Sequence, residues 1–416
     1  MVAEQEKTAF HQTEVGEIPS DWEVKSISEI ISLMTNGFVG TVKSHYTDYD
    51  EGVLYIQGYN VEENSFNFNG IKRVTVEFHK HHAKSCLQEG DLLTVQTGDI
   101  GVTTVVTKEL EGSNCHALII TRFRAGKAAS KFYSYYFNFY TGRRQLKEIE
   151  TGSTMKHINI GDMKELLIPY PTLAEQTAIA TALTDADALI TQLSTLIAKK
   201  KAIKQGAMQE LLTPKEGWEE KKLGEIGDCI IGLTYSPSNV RATGKLVLRS
   251  SNIQDNKLAY ENNVFVNIDV TEKITTRKGD ILICVRNGSR NLIGKCAYID
   301  GRAVGETFGA FMSVFRSQYN DFVFHVLQSN HIQRQIEETI GATINQLTNK
   351  NLNSFEIPFP SKEEQTRIAQ ILSDMDAEIE KLEQQLACPP PLRRNQLMLE
   401  SLPFLIYTVG GTILQG

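Results

Sequence analysis

The sequence predicts an α+β protein in which two pseudo-symmetric, β-rich domains are separated by two long antiparallel coiled-coil helices. Three observations predict it. Residues 152–198 align without a gap to residues 341–387 at an offset of 189, with 17 of 47 positions identical, where composition alone gives about 3. Short β-rich runs punctuated by Gly, Asn and Asp lie ahead of each copy. Within each copy, apolar residues recur at alternating spacings of 3 and 4, the period that holds one stripe of a helix against a partner helix.

Each domain opens on a tryptophan, Trp22 in DWEVKSISEI and Trp218 in GWEEKKLGEI, which reads as a core anchor. The runs GVLYIQGYNV, DLLTVQTGDI and TTVVTKEL, matched by GKLVLRSSNI, DILICVRNGS and KCAYIDG, read as strands. Gly90, Asp91 and Leu93 match Gly279, Asp280 and Leu282, and each aspartate suits a turn entering a strand. Helical stretches follow near Tyr133–Ile149 and Phe322–Ile340. Pro171 and Pro360 then stand where a helix can start but not continue. The first seam is Ile179, Leu183, Ala186, Ile190, Leu193 and Ile197; the second is Ile368, Leu372, Met375, Ile379, Leu382 and Leu386. The simplest partner for each helix is the other, paired antiparallel about an approximate two-fold axis. The resulting division is residues 1–171 and 214–360 for the domains, 172–213 and 361–387 for the helices, and 388–416 for an atypical tail. Three prolines after Cys388 stop the second helix. The tail reads as unrelated to the repeat: a shifted frame, an altered terminus or a natural variant. The far end of the first helix, around Ile203 to Leu212, is then expected to lose its partner and expose apolar surface.

With 416 residues, 41% of them hydrophobic and 22% charged, the composition excludes disordered, collagenous and membrane classes. No apolar run reaches the ~18 residues of a membrane helix. Six cysteines without metal-type spacing fit free thiols in a reducing, cytoplasmic setting. The formal charge is −7, so affinity for nucleic acid must come from local patches. One lies between Arg122 and Lys147, where Arg122, Arg124, Lys127, Lys131, Arg143, Arg144 and Lys147 occur with no acidic residue. The aromatics among them, Phe132 to Tyr140, read as core.

Base reading calls for forked or bidentate side chains on polar loops. Gln96, Thr97 and Asp99 follow LLTV in the first domain; Arg286, Asn287, Ser289 and Arg290 follow ILICV in the second. A further pair of loops carries Thr154, Lys156 and His157, and Thr343, Asn345 and Gln346; Arg249 joins the candidates from GKLVLRSSNI. These loops differ while their frame is shared, as two heads reading different half-sites would require. Enzymatic motifs are scarce. Gly37–Gly40 lacks the strand-Gly-helix context of a dinucleotide site, and His79, His81 and His82 have no carboxylate or cysteine placed to complete a metal site.

Set side by side, PYPTLAEQTAIATAL and PFPSKEEQTRIAQIL make the chain resemble the specificity (S) subunit of type I restriction-modification systems over about residues 16–387. The resemblance implies two target recognition domains, each contacting one part of a split DNA sequence. It also implies helices that space them and dock methyltransferase (M) subunits, with Glu175, Gln176, Glu364 and Gln365 in the docking and spacing region. S-adenosylmethionine, ATP and Mg are implied for the M and motor-nuclease (R) subunits and none for this chain, which is then non-catalytic. The competing readings are a coiled-coil adaptor whose domains bind protein, and a self-contained nuclease or methylase. Preference for one duplex over random DNA separates the first of these from a DNA reader; methyl transfer by the isolated chain would favour the second.

Overall fold

A computed structural model of the chain describes residues 9–48, 50–153, 156–340 and 345–387. The chain divides into two compact units, Met1–Gln192 with Ala387–Gly416, and Leu193–Leu386.

In the first unit, Leu92–Val95 is buried on both faces and lies inside a four-stranded antiparallel sheet ordered Thr103–Val105, Leu92–Val95, Leu118–Phe123, Ile31–Asn36. In the second, Ile281–Cys284 holds the same place in the order Cys296–Tyr298, Ile281–Cys284, Met312–Arg316, Asp228–Ile231. A smaller sheet in each unit contains one parallel pair, Val53–Ile56 with Asn114–Cys115 and Lys245–Leu248 with Thr307–Phe308. The strand before each long helix pairs antiparallel with the strand that opens the domain, Leu167–Tyr170 with Glu23–Ser26 and Glu356–Phe359 with Glu219–Lys222. Both β-rich domains therefore close on themselves in the same way.

The aspartates that the sequence assigns to turns do more than close them. Asp91 accepts the Gln88 amide and receives both Nε and Nη2 of Arg122 at 2.7 Å. Asp280 accepts the Arg277 amide and receives Nε and Nη2 of Arg316 at 2.9 and 2.7 Å. Both carboxylates are buried. Each pair ties the start of a central strand to its neighbour by a bidentate, charge-assisted contact.

The helical stretches after the strands are each two helices, Ser130–Asn138 with Tyr140–Glu148 and Asn320–Leu327 with Asn330–Thr339. Phe139 and Ser329 are extended at the breaks, and Ser329 caps the following helix by accepting the Ile332 amide. The crossing is tight enough that a Cβ on Gly142 would fall 2.2 Å from the Tyr136 carbonyl, so only glycine fits. Phe132 to Phe137 and Phe139 supply core, as expected from the sequence, while Tyr140 is exposed.

The long helices run Leu173–Leu211 and Lys362–Ala387. Their starts explain the doubled Glu-Gln motif. Glu175 accepts the backbone amide and hydroxyl of Thr172, and the Glu364 amide donates to Ser361 Oγ, so each glutamate stands in a capping position. Each glutamine is buried: Gln176 donates to the Pro171 carbonyl and accepts the Ala129 amide, and Gln365 donates to the Pro360 carbonyl. Trp22, buried as an anchor should be, donates to Glu175 at 3.4 Å.

Within the second unit the helices are antiparallel, joined by Lys200–Glu378, Lys201–Glu383 and Lys204–Asp376. The two seams do not face one another residue for residue. Ile368 and Leu372 share a core with Leu212, and Ala207, Met208, Leu211 and Met375 pack around it. The expectation that Ile203 to Leu212 loses its partner is thus corrected: antiparallel pairing sets the end of the first helix against the beginning of the second, which is present. Ile203 alone of that stretch remains a large exposed apolar residue. In the first unit, Ala180 and Ile179 pack on the core around Trp22 and Phe132. The tail reading, from Cys388 onward, lies outside the described residues.

His325 is 1% exposed beside this seam, with Ser373 Oγ at 3.2 Å from Nε2. Burial first, then the nearby Lys204 ammonium, push its pKa down to about 4, against the opposing pull of Asp376 and Asp321. An unfolded histidine titrates near 6.5. Stability is therefore expected in full above about pH 6.5 and to decline as pH falls towards 4, by about 3 kcal/mol at most. Urea unfolding between pH 7 and 4 checks this, with His325→Gln flattening the decline.

Candidate nucleic-acid interface

The two loops that the sequence singles out in each domain come together, and they do so at matched positions. In the first unit the Ile158 amide donates to the Gln96 carbonyl and the Gln96 side chain donates to the Ile158 carbonyl at 2.8 Å. In the second unit, 189 residues on, the Leu347 amide donates to the Val285 carbonyl at 2.7 Å, and Arg286 bridges Gln346. Gln96 is buried and spent on this brace, so it holds the loops instead of projecting from them. Thr97 is half-buried and Asp99 exposed at the tip. Lys156 is exposed and pairs with Glu150 at 3.1 Å, and His157 is half-buried beside it. Thr154 and Thr343 lie outside the described residues.

The second unit presents the richer surface. The Arg286 guanidinium lies 4.9 Å above the ring of Phe311, itself 55% exposed, a geometry that holds the fork out towards solvent. Asn287 donates to Ser250 Oγ at 2.9 Å and accepts the Ser289 amide. Asn345 donates to the Gly288 carbonyl and Gln346 is half-buried. Arg249 adjoins this group: Nη2 reaches the Asn262 carbonyl at 3.2 Å, while its buried Nε has no partner among the described residues. Arg290 points elsewhere. Its Nη2 donates to the Glu337 and Ile340 carbonyls, so it caps the end of a helix.

Arg249 also reveals residues that the sequence reading missed. Aligning QGYN with RSSN sets Gln57 opposite Arg249 and Tyr59 opposite Ser251. Gln57 donates to the Tyr59 hydroxyl, and Tyr59 is 52% exposed. Gly58 sits against Thr97, where a Cβ would lie 3.9 Å from the Thr97 carbonyl. The duplication was the signal for these two; for Phe311 the sequence carried none.

Three of the seven cations in the basic segment of the first unit are paired with acids. Arg122 is committed to Asp91, Arg143 holds the Ile100 carbonyl and Glu63 at 3.0 Å each, and Arg144 meets Glu148 at 3.6 Å. The missing acids come from other parts of the chain or the next helical turn, which a window from 122 to 147 cannot display. Arg124, exposed, donates to the Glu29 carbonyl at 3.3 Å.

Elsewhere, no group of three or more His, Cys, Asp or Glu among the described residues is arranged to hold a metal. His82 stacks on Phe78 with centroids 4.2 Å apart, and His81 bonds the Glu77 carbonyl. Burial pushes the Cys284 thiol up to about 11 and that of Cys296 to about 12, away from nucleophilic use. No described helix is long and apolar enough to cross a membrane.

The family model of the type I restriction modification DNA specificity domain matches the chain twice, over residues 19–205 and 215–387. The chain belongs to this family. A putative specificity subunit of the type I restriction enzyme MjaX from Methanocaldococcus jannaschii is 27% identical over 408 residues, covering 89% of this chain and 90% of that one. The specificity subunit of the enzyme EcoKI from Escherichia coli K12 is 27% identical over 176 residues, 40% of this chain and 37% of its own. The fold is shared with the crystal structure of a type I S subunit from M. genitalium, at 19% identity and a TM-score of 0.57 over 88% of this chain and 92% of that one. A chain from a structural study of type I system assembly and conformational transition matches with a TM-score of 0.54 and 19% identity, over 94% and 98%. The chain is thus a specificity subunit with two DNA-recognition domains, a non-catalytic component of its system.

Neither motif glutamine is at the surface, and Glu175 and Glu364 are half-buried and bonded within the chain, Glu364 also to Arg367 at 2.7 Å. The doubled motif locks a helix to its own domain. Of the other residues assigned to pairing and docking, Ile379 is buried, Leu183, Leu193 and Leu382 are half-buried, and Ile190 and Leu386 are exposed. Ile197 is buried.

Proposed function

We propose that each unit reads one half of a split double-stranded DNA target, and that the long helices dock methyltransferase subunits and, through them, restriction subunits. The observation that carries this is the recurrence of one loop pair in both units with different side chains: Gln57, Tyr59, Thr97, Asp99, Lys156 and His157 on one, Arg249, Arg286, Asn287, Asn345 and Gln346 on the other. One scaffold with unlike readers is what an asymmetric bipartite target requires. S-adenosylmethionine, ATP and Mg belong on this reading to the partner subunits, this chain binds no cofactor itself, and the complex works in the cytoplasm, where DNA is found. The M subunits methylate adenine.

Arg286 is the position with the strongest base-reading chemistry. In a titration of the complex with M subunits against split-target duplexes, Arg286→Ala is expected to cut discrimination at one half-site by 10- to 100-fold, about 1–3 kcal/mol. The other half-site and affinity for random DNA should change little. Equal binding of target and random duplexes by the unaltered complex would sink the proposal.

A further inference from the structure

Arginines elsewhere in the chain show what usually holds a guanidinium. Arg122, Arg316 and Arg367 each meet a carboxylate fork to fork, through Nε and Nη2. Such a pair is strong, but it spends the donors that base reading needs. Arg286 is held differently. Its guanidinium lies over the Phe311 ring, and among the described residues its N–H donors meet no acceptor. A ring attracts the cation without accepting a conventional hydrogen bond, so the edge donors stay free.

The backbone fixes where the fork starts. The Val285 and Arg286 amides both donate to the Phe311 carbonyl, at 3.0 and 3.1 Å, and Arg286 also forms its β-bridge with Gln346. Ring and fork are present together in one unit and absent together in the other. In the second unit the turn runs from Phe308, paired with Leu248, to Met312, paired with Cys284, through Gly309, Ala310 and Phe311. In the first, the matching turn runs from Cys115, paired with Ile56, to Leu118, paired with Val95, through His116 and Ala117 alone. The longer turn supplies Phe311, and the first unit has Thr97 where the second has Arg286.

We propose that the half-site read by the second unit contains a G·C pair recognised by Arg286, and that Phe311 is the positioning residue that holds the fork for it. The inference rests on the split-target reading above. A fork with unspent N–H groups matches the O6 and N7 acceptors that guanine presents together in the major groove. Adenine presents one acceptor and one donor there, and a guanidinium accepts nothing. The ring contributes order. Without it the long side chain samples many rotamers, and the cost of fixing one of them falls on binding.

Target duplexes with each base pair of that half-site changed in turn test this on the complex with M subunits. Arg286→Ala is expected to relax one position, and that position to be a G·C pair. Placing 7-deazaguanine there, which lacks the N7 acceptor, should weaken the unaltered complex about tenfold and leave the Arg286→Ala complex unchanged. Phe311→Leu, apolar but without a ring, should lose about 3- to 10-fold in discrimination at the same position. Phe311→Tyr should restore it, and Phe311→Leu added to Arg286→Ala should cost nothing more. Retained reading of the other half-site shows that each variant is folded. Relaxation at an A·T pair, or indifference of the unaltered complex to the deaza base, overturns the base assignment. Equal loss on target and random duplexes from Phe311→Leu overturns the positioning role and makes the ring a general DNA contact. If Arg286→Ala relaxes no position while the unaltered complex still prefers its target, this inference fails and the split-target reading stands; no preference for any duplex removes both.

Discussion

Replacing Arg316 with alanine is expected to destabilise the second unit by about 3–5 kcal/mol, because it leaves the buried Asp280 carboxylate without its counter-ion. Asp280 has a side-chain exposure of 3% and receives two hydrogen bonds from that one guanidinium. Arg122→Ala is expected to do the same in the first unit, where Asp91 is 1% exposed. The cost belongs to the orphaned charge more than to the pair. The double change Asp280→Leu with Arg316→Met should therefore recover most of the loss. Urea unfolding monitored by far-ultraviolet circular dichroism measures both, and a loss under 1 kcal/mol for either single variant would show that the carboxylate finds water or another donor.

Leu372→Asp should be the more damaging change to the helix pair. Leu372 is fully buried against Ile368 and Leu212, and a carboxylate there loses its hydration with no partner supplied, a cost above about 4 kcal/mol. Leu193→Asp and Leu382→Asp alter half-buried positions, and each should cost less than half as much. Seam spacing alone ranks the three alike; the observed register ranks them. Equal losses of helicity and cooperativity for all three would contradict that register.

Much of this was legible in the sequence because duplication repeats its own evidence. The strands, the anchoring tryptophan, the proline-bounded helices and the loop pairs each occur twice, and a pattern seen twice at one offset is hard to produce by chance. What escaped was whatever depends on a partner distant in sequence. Arg122 and Arg143 look like free cations until Asp91 and Glu63 arrive from elsewhere in the chain, and Gln96 looks like a reader until Ile158 claims it. Arg290 is similar, its role fixed by a helix end 50 residues on. Spacing marks every seam residue alike, yet Ile190 and Leu386 are exposed while Ile368, Leu372 and Ile379 are buried, because identical spacing says nothing of which turn faces which. In the capping glutamate and locking glutamine the sequence offered a motif whose reason is visible only once the helix start is seen against its domain.

The most direct test of the central claim, that two unlike units read two half-sites, is a map of methylated adenines. The chain would be expressed with its methyltransferase subunits in cells that lack other adenine methylation. The account predicts a single split motif with a constant gap between its halves, and predicts that Arg286→Ala relaxes the sequence of one half while leaving the other unchanged. A contiguous motif, or loss of sequence in both halves from that one substitution, would contradict it.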